Sequence, residues 1–151
     1  MTDTHRSALR YTADITAEDI EGLARFIGRR IVQLRKGAGA SGSEEERVGD
    51  ALAQTVAALT GSAREVLGAL ADRAAEAGSE PGSPAAPQEG ADGHAVEELM
   101  VRLSTLWRYL LTAAEAWSHL PDYDVARWRL DGHLDAEHEA RDRWLAAGGA
   151  W

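Results

Sequence analysis

The sequence predicts an all-α protein: a single domain over residues 1–151, built as a four-helix bundle of two helical hairpins joined by a long flexible linker. Three observations predict it. Apolar residues recur at steps of three and four through three long stretches. Helix-capping residues precede those stretches, and glycine or proline follows them. Between the second and third lies a proline- and glycine-rich segment with no period at all.

The strongest stretch is Val96 to Leu120. Val96, Leu99, Met100, Leu103, Leu106, Trp107, Leu110, Leu111, Ala114 and Trp117 fall on one side of a helix, in a stripe wider than an exposed helix needs. Such a helix must be covered by others, so it is expected at the centre of the core.

Earlier in the chain, Met1 to Ile15 reads as a lead-in whose Leu9, Tyr11 and Ile15 are free to tuck against the core. Thr16 then caps a first helix, with Glu18, Asp19 and Glu21 placed where the helix dipole favours negative charge. Ile20, Leu23, Ala24, Ile27, Ile31 and Leu34 form its buried face, flanked by Phe26, and Gly37 ends it after Arg35 and Lys36. A glycine- and serine-rich connector runs to Ser43. Ser43 and Glu46 form a capping box for a second helix, Glu44 to Ala77, whose inner positions are Val48, Leu52, Val56, Leu59, Ala63, Val66 and Leu70.

Thr60-Gly61-Ser62 predicts a bend in that helix, since an interior glycine costs about 1 kcal/mol against alanine. Its length predicts a second thing. Unbroken, it exceeds Val96–Leu120, so Val66, Leu67 and Leu70 would need either the bend or a second copy of the chain to cover them.

Gly78 to Gly93 holds Pro81, Pro84 and Pro87 and no large apolar residue, the composition of a flexible linker. It leaves open whether the third helix runs parallel or antiparallel to the second. Pro121 and Asp122 then predict a turn, and a fourth helix is expected from about Asp122 to Ala147. Leu130, Leu134 and Leu145 mark its thin inner face, joined by Tyr123, Trp128 and Trp144; Glu137 with Arg141 and Glu139 with Arg143 are favourable pairs four apart.

Composition narrows the function. There is no cysteine, which removes disulfides, thiolate metal sites and a cysteine nucleophile. No apolar run reaches the length of a signal peptide or a membrane span, so a cytoplasmic protein is expected. One lysine against fifteen arginines is the bias of a GC-rich bacterial genome. The net charge is −9, which argues against a nucleic-acid-binding surface over the whole protein. Residues 1–36 carry seven basic and five acidic side chains, a local +2 against −11 for the rest. Two solvated faces of opposite sign within one bundle account for this.

Candidate chemistry is sparse. His133, Glu137 and His138, near Asp135 and Asp142, have the spacing of bundle metal ligands, but the inner stripes of the other helices offer no Glu or His to join them. Ser104, Thr105 and Thr112 have no histidine at helical spacing, and Gly37–Gly42 joins two helices instead of following a strand. A helix-turn-helix fails because Glu44-Glu45-Glu46 would meet phosphate. No catalytic, cofactor or metal residue is therefore assigned.

The tryptophans carry more. Trp128, Trp144 and Trp151, with Arg127 and Arg143 beside the first two, have the composition of a protein interface, against the plainer reading that they fold over the edge of the core. The expected function is a non-enzymatic helical module that binds another protein or itself, with a homodimer expected: an adaptor, assembly factor or regulator. Two other classes compete with it. One is a helical-bundle enzyme or ligand or metal carrier with a pocket between helices; the other is an acidic regulator acting on a nucleic-acid-binding partner.

Overall fold

The computed structural model describes residues 9, 11–37, 42–78 and 91–128, and over these the protein is helical, with no strand. A 3-10 turn at Thr12–Asp14 leads into α1 (Ala17–Gly37), followed by α2 (Glu44–Gly78) and α3 (Ala91–Glu115). No helix among the described residues is long and apolar enough to cross a membrane.

Local chemistry starts α1 and α2. Thr16 Oγ1 accepts a hydrogen bond from the Asp19 amide at 3.2 Å, and the Asp19 carboxylate accepts one from the Thr16 amide at 2.9 Å. This reciprocal box satisfies two amides at the start of α1. At α2, Ser43 Oγ accepts from the Glu46 amide at 3.2 Å, while the Glu46 carboxylate reaches back to the Gly42 amide.

The three helices run up, down and up. Arg35 pairs with Asp50 at 2.7 Å, and Arg64 pairs with Glu21, so α1 and α2 are antiparallel. Gly49 makes the first of these ends close: a Cβ there would lie 3.1 Å from Arg35 Cγ. At one end of the molecule Trp117 faces Leu52 and Leu34; at the other, Met100 and Leu103 sit with Leu70 and Ile15. Hence α3 is antiparallel to α2 and parallel to α1. That answers the question the linker composition left open.

The core is where the stripes meet. Ile20, Leu23, Phe26 and Ile27 of α1 are fully buried, as are Ala63 of α2 and Trp107, Leu110, Leu111 and Ala114 of α3. Leu9 and Ile15 tuck beneath them as expected. Phe26 is central to this core instead of flanking it. At the far end, Leu34 and Val48 are exposed where the stripes predict burial, and Val96 is at the surface as well.

Several boundaries differ from the sequence reading. The helix α3 begins at Ala91, inside the stretch assigned to the linker, because a single glycine at 93 costs less than the packing of α3 supplies. It ends at Glu115, not Leu120. There the amides of Trp117 and Ser118 donate to the carbonyls of Ala114 and Glu115, three residues back, which tightens and closes the helix. Residues 116–128 then form turns, so the fourth helix does not start at Asp122. Its remainder, and residues 79–90 of the linker, lie outside the described residues. Three helices, not four, make up the described bundle.

The helix α2 is helical through Thr60-Gly61-Ser62. The Thr60 hydroxyl, buried, donates to the Val56 carbonyl at 2.7 Å, which satisfies it inside the helix. Val66 is buried and Leu67 and Leu70 are half-buried, covered by α3 and by the Thr12–Ile15 segment. The length of α2 therefore needs neither a break nor a second copy at that end. A Cβ added at Gly61 meets nothing within 4 Å. Gly61→Ala is accordingly expected to stabilise the protein by about 0.5–1 kcal/mol, read as a higher urea midpoint at unchanged slope.

Candidate protein interaction surface

Two features stand out once the helices are in place: a return segment that closes the α1–α3 seam, and an open apolar groove at the end of the bundle.

The return segment, residues 116–128, runs back along α1. Asp122 accepts from both Arg29, at 3.0 Å, and Arg30. The Arg30 guanidinium also lies 4.8 Å from the centre of the Phe26 ring and donates to Gln33 at 3.0 Å. Tyr123 and Trp128 then complete an aromatic cluster on Phe26, with ring centres 5.3–5.6 Å apart and tilted to edge-on geometry, the arrangement such rings favour. The Tyr123 hydroxyl donates to the Trp128 carbonyl at 2.7 Å; burial, with the nearby Glu115 charge, pushes its pKa up.

Beside this cluster lies a buried ion pair. The Asp19 side chain is wholly covered, and Arg127 meets it with both Nε, at 3.0 Å, and Nη2. Arg127 Nη2 also donates to the Asp14 carbonyl at 3.2 Å, and Asp19 accepts the Thr16 hydroxyl at 2.7 Å. Burial alone would raise the Asp19 pKa. The hydrogen bonds from Arg127 and Thr16 outweigh it and hold the carboxyl below its ordinary value, while Asp19 raises the Arg127 pKa in turn. A fork of two donors onto one carboxylate in a covered site fixes the path of the return segment.

These contacts revise the aromatic-and-arginine surface expected from the sequence. Trp128 is 8% exposed and belongs to the core, and Arg127 is engaged with Asp19. Neither stands free as an anchor, because the turns at 116–128 bring them onto α1 instead of placing them on an exposed helix. Trp144, Arg143 and Trp151 lie outside the described residues, as do His133, Glu137 and His138. Among the described residues no three potential metal ligands cluster.

The groove is where surface apolar residues do gather. At the end formed by the finish of α1, the start of α2 and the finish of α3, a groove of about 830 Å³ is floored by Leu34, Val48, Leu52 and Trp117. Leu34 is 52% exposed and Val48 61%. Arg30 and Gln33 stand on the α1 side, Glu44 and Glu45 on the α2 side. The stripes of α1 and α2 thus run one turn beyond the covered core, and Trp117, just past the end of α3, meets them there. A smaller hollow of about 430 Å³ lies between α1 and α2, over Gly28, Ala53, Val56 and Ala57. Its rim arginines Arg35 and Arg64 are paired with Asp50 and Glu21.

Residue spacing did not single out the groove, since the same periodicity marks Leu34 and Val48 as inner residues. The buried pair had a legible sign: Asp19 falls four before Leu23 and seven before Phe26, on the apolar stripe itself. No protein-family model matches the chain, nor does any curated protein or solved structure.

Proposed function

We propose that this protein is a non-enzymatic helical interaction module that self-associates. The observation that supports the reading is the end groove: apolar side chains of α1, α2 and the turn after α3 converge on it, and two of the four flooring it are half or more exposed. An apolar concavity edged by charged residues is the form that protein recognition sites take. Trp144, Arg143 and Trp151 remain candidates for contact with a further protein partner.

The test is the mass of the purified chain in solution from low to high micromolar concentration, by sedimentation or light scattering. Twice the chain mass at the upper end is expected. A chain that stays monomeric throughout, and whose substitution at Trp144 and Trp151 leaves every partner interaction intact, would remove the reading.

A further inference from the structure

We infer that the end groove is the face through which two copies of this chain pair, the α1 edge of one lying on the α2 edge of the other. The inference rests on the self-association proposed above and names its surface.

Charge decides the occupant. On the α1 side, Arg30 lines the groove and shares the single carboxylate of Asp122 with the exposed Arg29 behind it, which leaves a positive surplus, and Lys36 stands exposed about two turns past Arg29, outside the lining. On the α2 side, Glu44 and Glu45 are both exposed at the lip of the same groove. By helical spacing, Arg47 falls on the other flank of α2. The groove therefore has a basic edge and an acidic edge with an apolar floor between them. A two-fold axis through such a groove sets each basic edge against the partner's acidic edge and stacks the two floors, with Val48 and Leu34 at the centre. A surface must be complementary to itself to form a closed isologous dimer, and opposite-sign edges about an apolar strip meet that condition. A generic acidic or basic partner would satisfy only one edge and leave the other against like charge.

Three variants test this. Val48→Glu changes a side chain that is 61% exposed, so the fold should survive, checked by an unchanged helical circular dichroism signal and melting temperature. Dimerisation should weaken by about tenfold or more, since each dimer buries the new charge twice. Glu44→Lys with Glu45→Lys makes both edges basic, and Gln33→Glu with Lys36→Glu makes the α1 edge acidic. Each doubly substituted chain should pair poorly with itself, and the two mixed should form a heterodimer. A dimer indifferent to Val48→Glu, or charge-reversed chains that show no preference for each other, would overturn this surface while leaving self-association standing. A wild-type chain that is monomeric at high micromolar concentration would overturn both.

Discussion

Replacing Trp107 with alanine is expected to lower the free energy of unfolding by about 3–5 kcal/mol, the range for emptying a large buried aromatic site. Trp107 is the largest fully buried side chain, set among Leu103, Leu110, Leu111 and Ala114 of its own helix and the inner faces of α1 and α2. The helices cannot collapse onto the void without separating elsewhere, so most of the cavity cost remains. Urea unfolding followed by circular dichroism measures the effect, with Trp117→Ala, at the half-buried edge of the groove, as a comparison expected to cost less. A loss below about 1 kcal/mol for Trp107→Ala would take this residue out of the core's centre.

Nearly as large an effect is expected at Arg127. Arg127→Met keeps the stem but leaves the covered Asp19 carboxylate without its opposing charge, at a cost of about 3–5 kcal/mol. Asp19→Asn should cost less, because the guanidinium left behind is partly exposed and keeps the Asp14 carbonyl. The double substitution should destabilise by less than the two singles added together, since each alone strands what the other removes.

The pair also gives a pH signature with a definite sign. The Asp19 carboxyl titrates lower in the folded protein than in the unfolded chain, whose ordinary value is about 3.9. Its contribution is thus complete above about pH 4 and is lost as pH falls through the folded value. Wild-type stability should drop in that acid range, and the Asp19→Asn variant should lack this component of the drop. Equal acid sensitivity in the two proteins would place the stabilising charge elsewhere.

How far the sequence led is visible residue by residue. The stripes through Ile20–Ile31, Val56–Val66 and Met100–Ala114 were legible, because helical period and burial coincide wherever a helix is covered along one side. At Leu34 and Val48 the same period continues but the cover stops, and periodicity does not say how far the neighbours extend. The return segment was illegible for a different reason. Asp122 to Trp128 is compatible with helix by composition, and what holds it in turns is long-range: Arg29, Arg30, Phe26 and Asp19, all about a hundred residues away. Asp19 itself was readable only as a first-turn acid that the helix dipole favours. Its second role needed Arg127, which no local pattern names.

That separation has a consequence for how the chain is made. Asp19 and Arg127 are 108 residues apart, and Phe26 must wait almost as long for Tyr123 and Trp128. The hairpin of α1 and α2 can zip from near-neighbours, whereas the seam closes across nearly the whole chain and so sits late in the order of assembly. During synthesis α1 emerges before the return segment, and until residue 128 can fold back onto it α1 holds a carboxylate without its arginine and an uncovered aromatic face. Released fragments that end after α3 should therefore be held by chaperones far more than fragments that include Trp128.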